Sequence, residues 1–381
     1  TTPDIGAYEF TPGPCVAPPV AGVVNATPNP VCFNTVVNLT VSGNSTGLGQ
    51  TYQWQSSPNI TGPFTDVSPV LTIPTFSITS STTLYYRIAV TCSGNTQFSS
   101  PVLLDVNPAL PANTYTIDKN FPTGGLNYNS FNDARIAMLC GISGPVVFDV
   151  VTGTGPYTEQ LILDSIAGTS AANTVTFRGN GNTIQFNSSN TAERAVIKLK
   201  RTDYIIFENL VIDATLAGNT FGYGVQLFNN ADHNIIRNCT IKIPDNSTST
   251  NYGGIIINAS ETAAVTTGST LCDGNLIENN TITGGYYGIT CVGGTTEQLE
   301  DNVIIRNTIK DFYQYGIYLG PTLGTLVEKN DISRPTRTGV TAFYGVYVTG
   351  LNTAINISKN KIHNPFGGNL ASTSVFNGIY F

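Results

Sequence analysis

The stretch NLIENNTITGGYYGITCVGG, residues 275–294, contains two short segments separated by Asn-rich or Gly-rich turns. The first reads apolar-x-x-Asn-x-Ile, as in Ile277, Asn280 and Ile282. The second reads Tyr-Gly-apolar-x-apolar and runs from Tyr287 to Cys291. Because apolar residues alternate with other residues in both segments, each is predicted to be a β-strand with one buried face.

Both patterns recur through the C-terminal part of the chain. The Asn-x-Ile pattern returns at Asn307/Ile309, Asn330/Ile332 and Asn360/Ile362, and with another first residue at Leu210/Ile212 and Cys239/Ile241. The second pattern appears at Val225/Leu227, Ile255/Ile257, Ile289/Cys291, Ile317/Leu319, Val346/Val348 and Ile379/Phe381, with successive spacings of 30, 34, 28, 29 and 33 residues. Strands that repeat with a period near 30, without intervening helical segments, indicate a solenoid.

The repeated Asn suits a turn between stacked coils. Asn tolerates the left-handed backbone conformation, and its amide can bond to the equivalent amide in the next coil. Since no single repeat buries its own apolar face, stacking of neighbours must stabilise the fold. Ile289, Ile317 and Val346 are predicted to form one buried column.

These repeats resemble the right-handed parallel β-helix of pectin-lyase-like proteins over residues 109–381. The segments GPVVFDVV and YTEQLIL, within residues 144–163, also look like the start of such domains. Ser130 is predicted to cap a short helix over residues 131–139 that covers the first coil, with Asp133 at the capping-box spacing. Residues 259–274 lengthen one repeat and are predicted to form a loop on one side of the solenoid.

Residues 13–108 read as short strands separated by turn residues, which predicts a β-sandwich. Cys32, Trp54 and Cys92 resemble the arrangement of immunoglobulin-like domains, and TYQWQSS and LYYRIAVTC look like the Ig-like modules of bacterial surface adhesins. The resemblance implies a Cys32–Cys92 disulfide. The predicted fold is therefore all-β, with an Ig-like β-sandwich followed by a β-helix that has a short N-terminal capping helix.

Composition excludes several functions. Charged residues make up 11% of the 381 residues, the net charge is −7, and Lys and Arg do not cluster, so nucleic acid is not an expected partner. Apolar runs are far shorter than the roughly 20 residues that cross a bilayer. The Ser, Thr, Asn and Gly content predicts an extracellular or cell-surface protein. Among the seven cysteines, Cys239 and Cys291 are predicted to be buried and free.

Catalysis on a β-helix needs paired carboxylates or a calcium-held base on an outer face. The outward positions of the second strand pattern carry no carboxylate: they are Gln226, Ile256, Thr290, Tyr318, Tyr347 and Tyr380. His233 and His363 are far apart in the sequence, which argues against zinc. The sequence therefore predicts no enzyme activity, cofactor or metal. The alternative, implied by the resemblance, is a polysaccharide lyase or glycoside hydrolase that acts on the β-helix face.

The outward tyrosines are the most informative surface feature. Tyr318, Tyr347 and Tyr380 are predicted to form one column, and Tyr287, Tyr315 and Tyr344 a second column at the entrance to the same strands. Two interpretations remain open. Stacked rings stabilise neighbouring coils, or an exposed aromatic strip binds a sugar chain or a protein.

The main functional hypothesis is a structural or adhesive module of a large repetitive secreted protein. Residues 1–12, with the strand-like segment 4–10, resemble the closing piece of a preceding β-helix in large secreted proteins of Bacteroidetes-type bacteria. The chain stops within a coil at residues 377–381. These ends predict head-to-tail contacts with neighbouring modules or copies, and a filament; an arbitrary chain boundary is the alternative.

Overall fold

The computed structural model describes residues 13–218 and 220–381, in two compact units that meet in the sequence at Ala109 and Leu110. The strand-like segment 4–10 lies outside the described residues. No helix in the described ranges is long and apolar enough to cross a membrane.

The first unit is rich in antiparallel β-strands. Its described strands are Val23–Thr27, Val36–Ser42 and Phe76–Thr79 in one sheet; Thr65–Asp66, Thr51–Ser57, Leu84–Cys92, Asn95–Phe98 and Val102–Leu104 in a second; and Val31–Cys32 with Val106–Asn107 in a third. Tyr52 and Trp54 point into its core and Gln53 and Gln55 away from it, as the alternation predicts. The Ig-like assignment stays a prediction.

The predicted Cys32–Cys92 disulfide is wrong, because Cys92 is bonded to Cys15 with Cα atoms 5.9 Å apart. Cys32 lies in a two-residue strand that pairs with Val106–Asn107, not with the strand that carries Cys92. The backbone amide of Cys15 donates a hydrogen bond to the carbonyl of Leu48, 3.0 Å away. A disulfide is consistent with an extracellular protein.

The second unit is a right-handed parallel β-helix whose strands form three long sheets. Sheet A contains Asn127–Tyr128, Asn113–Ile117, Val146–Val150, Val175–Arg178, Ile205–Glu208, Ile235–Arg237, Leu276–Glu278, Val303–Ile305, Leu326–Glu328 and Asn356–Ser358. Sheet B contains Tyr157–Thr158, Thr183–Gln185, Val211–Asp213, Thr240–Lys242, Thr281–Thr283, Thr308–Lys310, Asp331–Ser333 and Lys361–His363. Sheet C contains Leu161–Asp164, Ala195–Lys200, Gly222–Phe228, Tyr252–Ile257, Tyr287–Cys291, Tyr315–Leu319, Phe343–Val348 and Phe376–Tyr380. A small fourth sheet contains Leu299–Glu300, Thr322–Leu323 and Asn352–Thr353.

The core of the β-helix consists of columns of equivalent residues. Ile289, Ile317 and Val346 are paired across adjacent coils of sheet C and are completely buried, which confirms the predicted column. Cys239 and Cys291 are buried free thiols, again as predicted. Burial of each large aliphatic side chain contributes roughly 1.5–3 kcal/mol.

The predicted Asn ladder is present at the turn between sheets A and B. The Nδ2 groups of Asn280, Asn307 and Asn330 donate to the Oδ1 atom of the Asn in the next coil, at 3.0, 3.0 and 2.9 Å. The same Oδ1 atoms accept from the backbone N–H of these three residues. Each ladder carboxamide oxygen therefore bonds to two N–H groups of the preceding coil.

The left-handed conformation falls one residue earlier than predicted. The residues immediately before the ladder, among them Asn279, Arg306 and Lys329, have φ values of 54°, 55° and 57°. The ladder Asn is therefore selected for its amide bonds, since its neighbour makes the sharp turn.

The predicted cap is confirmed as the helix α1, Phe131–Ala137, which is two residues shorter than expected. Ser130 Oγ accepts from the amide of Asp133 at 3.0 Å. The carboxylate of Glu159 accepts from the amides of Phe131 and Asn132, both at 3.0 Å, and so places a negative charge at the helix N-terminus.

The outer face of sheet A carries charges of alternating sign. Glu208 lies between Arg178 and Arg237 of the adjacent coils, at 3.0 and 2.6 Å, and Arg178 also reaches Asp149. Burial opposes ionisation of Glu208, but the two arginines outweigh it and hold its pKa below the ordinary value. Glu208 is only 9% exposed and is therefore a largely buried, paired charge.

We predict that Ile317→Asp destabilises the β-helix by more than about 3 kcal/mol, because it places an unpaired carboxylate in the core. The matched control is Thr308→Asp, since Thr308 points outward on sheet B. Denaturant unfolding measures both variants. Equal stability of the two would contradict the register described for these strands.

Candidate functional site

The outer face of sheet C contains one continuous column of equivalent side chains. Strand pairing aligns Lys198, Gln226, Ile256, Thr290, Tyr318, Tyr347 and Tyr380 in successive coils. The sequence predicted the last six in this order. The column divides into an open tyrosine half and a covered half.

The tyrosines pack in two columns, as predicted. In the outer column the ring centroids of Tyr318 and Tyr347 are 5.0 Å apart, as are those of Tyr347 and Tyr380, whose planes differ by 4°. In the entrance column Tyr287 and Tyr315 are stacked at 5.5 Å, and Tyr315 and Tyr344 at 5.1 Å. Edge-to-face contacts join the two columns.

This packing determines which atoms can meet a ligand. Rings that stack on one another use their faces within the column, so their edges and hydroxyl groups are left for other contacts. Tyr380 is 43% exposed, whereas Tyr287 is only 4% exposed and is not available at the surface. Burial, together with the neighbouring Tyr347, raises the pKa of Tyr318, so this hydroxyl remains a hydrogen-bond donor at neutral pH.

A cavity with a volume of 460 Å³ lies at the last coil, where Tyr347 and Tyr380 adjoin Val348 and Phe381. Tyr347 and Tyr380 form one part of its lining, and Thr349, Asn352 and Ile355 another. The Asn352 carboxamide is used within the protein, because its Nδ2 donates to the carbonyls of Thr349 and Gly350 and its Oδ1 accepts from Thr322.

The other half of the column is covered by residues 259–274, which we call the strap. The predicted loop thus folds over sheet C. Ala264 packs with Ile256 and Tyr287 in a buried cluster. Gln226 Nε2 donates to the Ser260 carbonyl at 3.0 Å.

The strap also brings a carboxylate to this face. Glu261 contacts the ammonium groups of Lys198 and Lys200, at 2.6 and 2.9 Å. Glu261 was not among the acids predicted to lie near this face, because an inserted loop supplies it and no strand pattern places it there.

A second set of carboxylates lies at the turn between sheets C and A. The amide of Asp232 donates to Asp203 Oδ1, and the amide of Asp273 donates to Asp232 Oδ1, both at 2.9 Å. Asp273 Oδ1 in turn accepts from the amide of Glu300 at 2.7 Å. Equivalent residues of stacked coils are about 4.8 Å apart, so these acids form a column with closely spaced carboxyl groups.

Asp232 is the most perturbed carboxyl group of this column. Burial raises its pKa to about 6, and the neighbouring carboxylates Asp203 and Asp273 act in the same direction. Burial also raises the pKa of Asp273. The sequence did contain a signal for these residues, since Asp232 and Asp273 each stand two positions before an Asn that precedes a strand of sheet A.

Neither histidine takes part in a group that could hold a metal, and no set of three or more His, Cys, Asp or Glu side chains in the described ranges is suitably placed. The exposed His233 ring stacks on Tyr204 with centroids 5.0 Å apart. His363 lies at the end of a sheet B strand, and its Nε2 atom is 2.7 Å from Asp331.

Comparison with known proteins supports the fold. Residues 245–378 match a family model described as a right handed beta helix region, and residues 20–108 match a domain of unknown function (DUF8696). No curated protein matches the chain.

Two solved structures are similar. The family 28 exopolygalacturonase of Yersinia enterocolitica has a TM-score of 0.33 and 10% identity. The match covers 97% of this chain and 88% of the exopolygalacturonase. Endopolygalacturonase I of Stereum purpureum, complexed with two galacturonate, has a TM-score of 0.22 and 15% identity. The match covers 68% of this chain and 94% of the endopolygalacturonase.

The prediction that the chain is not an enzyme is corrected by this comparison, because both matched structures are enzymes. The prediction rested on the absence of carboxylates from the outward column of sheet C, whereas the acids of the turn and Glu261 of the strap lie outside that column. At these identities the likeness concerns the fold and assigns no substrate to this chain.

Proposed function

We propose that the β-helix binds an extended polysaccharide along the outer face of sheet C. The observation that carries this proposal is the unbroken column of Tyr318, Tyr347 and Tyr380 on this face. We also propose that the protein acts outside the cell, where such polymers occur.

The geometry suits a polymer better than a small ligand. Coils of the β-helix repeat at about 4.8 Å, so equivalent hydroxyl groups recur along a straight line. Tyr hydroxyls donate and accept hydrogen bonds, and Thr349 adds a further hydroxyl group near them. A linear chain of sugars presents hydroxyl groups at a regular interval and can follow this line across several coils.

Hydrolysis of a polysaccharide is a second candidate function, favoured by the Asp203–Asp232–Asp273 column. Glycosidases need one protonated and one ionised carboxyl group, and retaining enzymes hold them about 5–5.5 Å apart. Asp232, with its raised pKa, is suited to act as the general acid, and a neighbouring Asp would act as the ionised partner.

The tyrosine face is tested by the double variant Tyr318→Phe/Tyr347→Phe, which removes two hydroxyl groups and retains the stacked rings. Each lost hydrogen bond costs about 0.5–1.5 kcal/mol, so affinity for a bound polysaccharide should fall about tenfold. Isothermal titration against pectins, alginates and host glycans measures this. The matched control is Tyr287→Phe, whose ring is buried. Unchanged affinity of the double variant, or no binding of any polymer by the unmodified protein, would contradict the proposal.

Hydrolysis is tested by Asp232→Asn, which retains an oxygen for the amide of Asp273 but cannot act as an acid. Release of reducing ends should fall at least about 100-fold, whereas the control Asp213→Asn should retain activity. Because the acid must be protonated, the rate of the unmodified protein should decline as pH rises through about 6. A rate that Asp232→Asn leaves unchanged would exclude this role.

A further inference from the structure

The strap places a carboxylate where the carboxylate of a ligand would fit. Lys198 and Lys200 lie two positions apart in one strand, so both side chains point outward. Glu261 Oε2 is 2.6 Å from Lys198 Nζ, and Oε1 is 2.9 Å from Lys200 Nζ. Each carboxylate oxygen thus has its own ammonium partner, an arrangement that recognises a carboxylate through two charge-assisted hydrogen bonds.

The lysine pair requires an anion. The Lys198 side chain is only 3% exposed, and its second contact is the carbonyl of Ala192 at 2.8 Å. A buried ammonium group is costly unless it is paired with a negative charge. If the strap moved away, the two lysines would favour another carboxylate in the place of Glu261.

The surface beneath the strap also has polar atoms that the strap does not satisfy. Gln226 Oε1 and Thr290 Oγ1 are buried and have no hydrogen-bond partner among the described residues. Both residues belong to the outward column that continues into the tyrosines. Because buried polar groups are nearly always paired in folded proteins, these two atoms point to a polar ligand other than the strap.

The attachments of the strap allow its middle to move. Its C-terminal part is held by main-chain bonds, from the amide of Asn230 to the carbonyl of Thr270 at 2.7 Å and from the amide of Gly268 to the carbonyl of Gly293 at 3.2 Å. Residues 260–265 are held by the Ser260 carbonyl bond, the Glu261 ion pairs, the bond from Asn258 Nδ2 to the Ala263 carbonyl at 2.8 Å, and the packing of Ala264 and Val265. This segment can therefore lift while the coil beyond it stays in register.

We propose that the strap is an intramolecular pseudo-ligand, in which Glu261 occupies a subsite for a carboxylate of an acidic polysaccharide. This inference rests on the proposed function, because it extends the same binding face from the tyrosines to the covered half of the column. The bound polymer displaces residues 260–265, places one carboxylate between Lys198 and Lys200, and offers hydroxyl groups to Gln226 and Thr290. Access to this subsite is thus regulated by competition with the chain's own Glu261.

The test compares Glu261→Gln with the unmodified protein by isothermal titration against oligomers of polygalacturonate and of its methyl ester. Loss of the Glu261 charge weakens the closed strap, so the carboxylated oligomer should bind about tenfold more tightly, and the ester should bind unchanged. Adding Lys200→Met should abolish the gain. The matched control is Glu278→Gln, which removes a paired glutamate on sheet A. Melting temperatures establish that each variant is folded.

The outcomes separate this inference from the proposed function. Equal or weaker binding of the carboxylated oligomer by Glu261→Gln overturns the pseudo-ligand, and so does an equal gain for the methyl ester. If the tyrosine variants weaken binding while Glu261→Gln changes nothing, the tyrosine face remains and the strap is a structural cover only. If the unmodified protein and Glu261→Gln both bind neutral polysaccharides but neither binds a polygalacturonate oligomer, the carboxylate subsite is excluded.

Discussion

The structure depends on one constraint, which is that each coil of the β-helix keeps a fixed register with the next. The Asn ladder at the turn between sheets A and B enforces this register, because every shared Oδ1 atom bonds the side chain and the backbone of the preceding coil. A register shift of one residue would break these bonds and would move the core-facing side chains of the shifted strands to the solvent face. The straight columns of the core and of the outer faces follow from the same register.

Each outer face then acquires a chemical character from the residues that recur in its columns. Sheet A has charges of alternating sign, which pair within the protein. Sheet C has tyrosines in its open half and a lysine pair beneath the strap. The acids at the turn between sheets C and A are added to this face by the same repetition. These acids follow the three sheet C strands that carry Lys198, Gln226 and Ile256, whereas the tyrosines belong to later coils.

Much of this was predictable from the sequence, because repetition reveals which residues are equivalent. The buried column with Ile317, the tyrosine columns, the Asn ladder and the helix cap at Ser130 all follow from patterns within the strands and turns. The Cys15–Cys92 bond and the contact between Glu261 and Lys198 join residues that no repeat relates. The raised pKa of Asp232 depends on burial and on acids of other coils, which a search for acids in the strand columns does not consider.

Native-state hydrogen exchange measures the central constraint most directly. If the ladder holds the register, the backbone amides of Asn280, Asn307 and Asn330 should exchange only when the β-helix unfolds as a whole. In low denaturant they should then show one shared opening free energy, equal to that of the sheet C amide of Ile317. Separate and lower opening free energies for these amides would show that the ladder opens locally, and would contradict the account.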